Sequence, residues 1–234
     1  MPKQLNTQIT GTVGDVIFYK WRDRYCMRSK GKTGTQAPIA KKNGSHFGKA
    51  SALSARMRKL MAPLLAEPKS RRLMYRLNRI VYDLLRQDFF ETKEPVNSIP
   101  ELTGMSLFEQ DPISLSLTGY LGVTRNTDHS LSLKIPACNP AYMSMNSEHP
   151  FLHIGLMTLS ISLGDLSQVE INEQSFSLPY GDNLFPEREL TLKGRCQPGC
   201  ITVVVASMSY LNHEQQLVKD AGWRFGGIVG SFWN

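Results

Sequence analysis

The residues best suited to chemistry in this chain lie between Gly11 and Lys42, and that chemistry is recognition of a partner. Lys20, Trp21, Arg22, Arg24, Tyr25, Arg28, Lys30 and Lys32 interleave cations with aromatic rings, and Lys41 and Lys42 extend the basic run. Cations neutralise phosphates and release counterions, while aromatic faces stack on bases. The same residues suit an edge hairpin that docks on protein, its rings covering a surface and its cations keeping the edge soluble. Docking on a protein partner, or self-association, is the leading expectation. Nucleic acid or another polyanion comes second.

Catalysis needs converging acid, base, nucleophile or metal groups, and the sequence offers no catalytic residue. His46, His129, His149, His153 and His213 fit neither H-E-x-x-H nor a nucleophile elbow. His149 and His153 would share a face of an extended strand, which is a bare pair and not a metal site. Cys196 and Cys200 flank Gln-Pro-Gly, a turn; without a second pair or a histidine cluster they do not read as zinc ligands. Gly11-x-x-Gly14 lacks the strand, helix and G-K-[ST] of a phosphate loop, so its glycines read as bends. Glu170, Glu187 and Glu189 would serve a carbohydrate-active enzyme only if folded together at the separation that glycoside hydrolysis requires. No cofactor and no metal is expected.

The elements that must position the basic aromatic stretch follow from periodicity. Residues 16–28 alternate as a β-hairpin, with Val16, Phe18 and Lys20 on one face and Ile17, Tyr19 and Trp21 on the other. Arg22-Asp23 is the expected turn, and Tyr25 and Met27 continue the apolar alternation. Residues 1–10 read as frayed, and residues 29–46 as a mobile arm by composition. Ser45 is the expected cap of a helix over about 46–65, with Phe47, Ala50, Leu53, Met57, Leu60 and Leu64 as its apolar stripe and Pro63 near its end. A second helix, to about residue 89 or 90, carries Leu73, Leu77, Ile80 or Val81, and Leu84. The segment 91–112, rich in proline and acid, reads as a linker.

From Ile113 the period becomes two. Strands are expected at Ile113–Val123, Ser130–Ile135, Phe151–Leu163, Val169–Ile171, Ser175–Leu178, Glu189–Lys193, Ile201–Tyr210 and Trp223–Val229. Turns are expected at 126–128, 139–140, 164–165, 172–173, 181–183 and 198–199. Runs such as Leu159-Ser-Ile-Ser-Leu163 read as strands buried on one face only. The expected fold is α+β: an N-terminal β-hairpin and arm over 1–42, a helical hairpin over 43–90, the linker, and an antiparallel β-sandwich over 113–234.

Charge sharpens the division. Residues 1–90 hold 19 Lys/Arg against 5 Asp/Glu, residues 91–234 hold 8 against 15, and the whole chain of 234 residues carries +7. A basic module attached to an acidic body is a common mark of polyanion binding. The N-terminus has no apolar signal region, and no apolar run reaches membrane-spanning length, so a cytoplasmic protein with free thiols is expected.

Gly11-x-Val-Gly14, Phe18-Tyr19-Lys20, Tyr25-x-x-Arg28-Ser-Lys30, Phe47-Gly48-x-Ala50-Ser51 and Met57-Arg58 together resemble a family of uncharacterised proteins from Bacteroidota. The resemblance spans about residues 8–88. It implies that residues 11–48 form one unit and that the origin is bacterial, and it brings no activity. Family members carry a glycine turn in the hairpin, where this chain has Arg22-Asp23.

Overall fold

A computed structural model describes residues 3–5, 8–31, 37–64, 70–91, 94–107, 121–137, 151–179, 185–214, 216 and 225–234. The chain divides into two compact units, Met1–Lys42 and Asn43–Asn234. The architecture is α+β with antiparallel sheets, as the change of period implies.

The first unit is built on a four-stranded antiparallel meander: β1 (Lys3–Leu5), β2 (Gln8–Val13), β3 (Val16–Trp21) and β4 (Arg24–Ser29), in that order. The expected hairpin is present, and β1 and β2 extend it across residues thought to fray. The β2–β3 turn is Gly14-Asp15, where Gly14 takes φ 55°, a left-handed conformation that glycine adopts without steric cost. The β3–β4 turn is Arg22-Asp23, as expected, but Arg22 holds φ 55° with a side chain attached.

Helix α1 spans Pro38–Met61, so it begins well before Ser45 and takes in Lys41 and Lys42. That corrects the mobile-arm reading of residues 38–46. Proline at the first helical position explains the start, because its missing N–H would have no helical partner there. Pro63 ends the helix as expected, in a short 3-10 turn over Ala62–Leu64. Helix α2, Arg71–Arg86, is capped by Ser70, whose hydroxyl accepts from the Leu73 N–H at 3.3 Å.

The second unit has three layers. In the middle lies a sheet ordered β11 (Phe225–Trp233), β10 (Cys200–Leu211), β7 (Phe151–Ser162), β8 (Val169–Pro179). One face packs on Leu53, Met57 and Met61 of α1 and Leu73, Leu77, Val81 and Leu84 of α2, through Met157, Leu159, Ile161, Ile201, Val203 and Val205. The other packs on a second sheet, β5 (Gly122–Arg125), β6 (Ser130–Ile135) and β9 (Arg188–Arg195), through Ile154, Leu156, Val204, Ala206 and Tyr210. The two sheets form the expected sandwich, with the helices as an added outer layer.

Burial on both faces overturns the one-sided reading of Leu159–Leu163. Ser160 is buried, and its hydroxyl meets the Arg195 carbonyl at 3.3 Å and the Thr202 hydroxyl at 2.9 Å. A small hydroxyl tolerates a core when its hydrogen bonds are made.

Two further expectations fail. β8 runs unbroken through Asn172 and Glu173, each paired with β7, because a strand at a sheet edge can carry polar side chains outward. The segment read as a linker lies along β11. Val96 exchanges backbone bonds with Trp233, Ile99 and Gly104 donate to Ser231 and Ile228, and Leu107 donates to Gly226. Ile99, Leu102, Met105 and Leu107 are buried in the helix-facing core, so proline-rich composition there marks an irregular clamp and not a boundary. Residues 113–120 of the first expected strand, and the turns at 139–140 and 181–183, lie outside the described residues. The turns at 126–128, 164–165 and 198–199 are present.

Candidate binding surface

Register sorts the N-terminal sheet into two faces. Gly11, Phe18 and Met27 stand in line across β2, β3 and β4, as do Val13, Val16 and Ser29. Side chains alternate along each strand, so Ile9, Val13, Val16, Phe18, Lys20, Tyr25 and Met27 share the first face. Thr10, Thr12, Ile17, Tyr19, Trp21, Arg24, Cys26 and Arg28 share the second.

Both faces carry exposed side chains, while Val16, Ile17 and Phe18 are half-buried. Met27 is 73% exposed and Val13 48% on the first; Trp21 is 64% exposed on the second. Each face places a cation over a ring: Lys20 Nζ lies 5.8 Å from the Tyr25 ring centre, and the Arg28 guanidinium 5.8 Å from that of Tyr19. Such contacts are a cation's attraction to the ring's electron-rich face.

The ten residues singled out in the sequence therefore do not make one patch. Trp21, Arg24 and Arg28 come together on the second face; Lys20 and Tyr25 lie on the first. Arg22 is at the turn, and Lys30 follows β4, its N–H donating to the Asp15 carbonyl at 2.6 Å. Lys41 and Lys42 stand exposed at the start of α1. Lys32 lies outside the described residues. Tyr19 was missed as a binding residue, although its two-residue spacing from Trp21 on one strand was the signal.

Glu170 is on β8 of the middle sheet, whereas Glu187 and Glu189 adjoin or lie in β9 of the other sheet. Glu187 pairs with Lys134 at 2.8 Å. The Glu170 carboxylate accepts from the Asn172 amide at 2.7 Å and from the Gln197 amide. It borders a polar hollow of about 260 Å³ that also touches Cys200. Burial, and secondarily the charge of Glu170, push the Cys200 thiol up, and burial does the same to Cys196; this is opposite to the thiolate stabilisation of an activated cysteine.

His153 Nδ1 lies 3.3 Å from the Ser177 hydroxyl, beside a hollow of about 130 Å³. His149 and Cys138 are outside the described residues. A larger apolar hollow of about 480 Å³ is lined by Leu53, Leu85, Phe90, Leu163, Leu166 and Trp233. Among the described residues no three of His, Cys, Asp and Glu gather as a metal site, and no helix is long and apolar enough to cross a membrane. No family model, curated protein or solved structure matches this chain.

Proposed function

We propose that this chain is a binding or assembly module, without catalytic activity, whose N-terminal sheet docks on a protein partner. The observation that carries this reading is the exposure of Met27, Val13 and Ile9 on one face of a sheet that no second layer covers among the described residues of Met1–Lys42. A single-layer sheet is weakly stable in water, and three large apolar side chains held in solvent gain by being covered. The resemblance over residues 8–88 remains a proposal of kinship. A reducing, cytoplasmic setting fits the free thiols of Cys26, Cys196 and Cys200.

A variant carrying Val13→Lys and Met27→Lys tests the reading, with circular dichroism to verify that the sheet persists. Light scattering and affinity capture should give complexes with wild type that the variant loses. Identical complexes and identical mass for both proteins would refute docking through this face. The polyanion reading is the second one, and the specific observation in its favour is the opposite face, where Arg24 and Arg28 accompany two rings. The carbohydrate-active reading draws no support from the carboxylates, which lie on different sheets.

A further inference from the structure

We propose that the face bearing Ile17, Tyr19, Trp21, Arg24 and Arg28 is a platform for single-stranded nucleic acid. This rests on the polyanion reading and narrows it to one face and one form of ligand.

Charge is the first argument. Residues 1–42 hold 9 Lys/Arg against 2 Asp/Glu, and this net of +7 equals that of the whole chain, so residues 43–234 sum to zero. The two carboxylates, Asp15 and Asp23, sit in turns, and register places no acidic side chain on this face. Arg24 and Arg28 have no carboxylate partner among the described residues. Covering them with apolar protein would strand charges away from water, whereas a chain of phosphates supplies the missing anions.

Ring geometry is the second argument. Tyr19 and Trp21 lie two residues apart on β3 and face the same way. Strand rise separates them by about 6.6 Å, twice the roughly 3.4 Å rise per base along a duplex strand. Rings at that spacing suit bases drawn out of the stack. A duplex hides its base faces, so it would leave both rings unused. Arg24 stands opposite Trp21, and Arg28 opposite Ile17 and over Tyr19, so cations flank the rings from the neighbouring strand. β4 is the last strand of the sheet, with no further strand paired to it among the described residues.

The test uses the full chain and fluorescence anisotropy with labelled dT20 and rU20, a duplex of equal length, and polyglutamate as competitor, across a salt series. Single strands should bind, with log affinity falling against log salt at a slope of about −1.4, for the two phosphates that Arg24 and Arg28 neutralise. Trp21→Ala and Tyr19→Ala should each weaken binding by about tenfold with an unchanged slope. Arg24→Ala should flatten the slope by about 0.7. Tyr75→Ala, an exposed ring on α2 outside the N-terminal sheet, should change nothing. If an alanine variant loses its sheet signal, Trp21→Leu against Trp21→Phe replaces it, with only the ring-bearing variant expected to bind. Equal binding of duplex and single strand, with Trp21→Ala silent, would overturn the platform and leave the polyanion reading standing. Displacement of the oligonucleotide by an equal charge of polyglutamate would assign the face to an acidic protein instead. No salt-sensitive binding at all would remove both readings.

Discussion

Gly230 lies in β11 beside a register shift, where Val204 pairs with Gly230 and Val205 with Ile228. It lies close against β5 of the second sheet. A Cβ built there would meet the Val123 Cβ at 2.9 Å, Val123 Cγ1 at 3.2 Å and Phe232 Cε2 at 3.2 Å. Ordinary carbon contacts fall at about 3.5–4.0 Å, so Gly230→Ala must drive β5 and β11 apart by roughly half an ångström. Val123 cannot swing aside, because the atom struck is its own Cβ, fixed to the backbone. Overpacking of this kind costs about 1–3 kcal/mol, which for a domain of this size lowers Tm by about 2–4 °C per kcal/mol. Gly230→Ala should therefore melt roughly 4–8 °C below wild type, taking about 2 kcal/mol as the central cost. Replacing Val123 by glycine removes the struck atom, so Val123→Gly should cost less in the Gly230→Ala background than in wild type. Calorimetry on the four proteins of this double-mutant cycle measures the coupling. Additive effects, or a Gly230→Ala protein as stable as wild type, would refute the close-approach argument.

Two other expectations concern the helix cap and the half-buried imidazole of His153. Ser70→Ala should destabilise α2 by about 1 kcal/mol, read from urea unfolding, because Arg71 and Arg72 put positive charge at the positive end of the helix and leave Ser70 to satisfy the Leu73 N–H; an unchanged midpoint would count against the cap. Burial holds His153 below its ordinary value of 6.5, so the unfolded chain binds the proton first. Stability should then fall as pH drops through that value and level off only below the folded pKa. Urea midpoints at pH 7.5 and 5.5 should fall further in wild type than in His153→Gln, and equal falls would dismiss the histidine as a contributor.

The parts of the fold that were legible in the sequence were those with a single strong period. The stripes at Ala50, Leu53, Met57 and at Leu73, Leu77, Val81, Leu84 are the buried helix faces, and the alternation across Val16–Met27 is the observed register. What escaped was structure held by something other than periodic burial. The first two turns of α1 are exposed and bury no apolar stripe, so only Pro38 could have marked them. Residues 94–107 pair with β11 through scattered backbone bonds, which leave no alternation to read. Ser160 looked solvent-facing because a hydroxyl bonded to Thr202 cannot be told in sequence from one bonded to water. The two faces of Val16–Trp21 were legible from alternation, but placing Arg24, Tyr25 and Arg28 on them needed the register of β3 with β4.

The clamp along β11 bears on the order in which the second unit can be assembled during synthesis. Thr103 and Ser231 hydroxyls meet at 2.7 Å across 128 positions of sequence, and Ser231 also donates to the Ile99 carbonyl at 3.0 Å. A nascent chain that has emitted both helices and β5–β10 still lacks the strand that joins β10 to residues 94–107. Until β11 emerges, β10 is an open edge with apolar side chains on both sides, the form of intermediate that associates with neighbouring chains. Closing so many distant contacts in one late step also makes folding slow. For this unit, the interval before β11 is in place is therefore when a holdase chaperone would matter most.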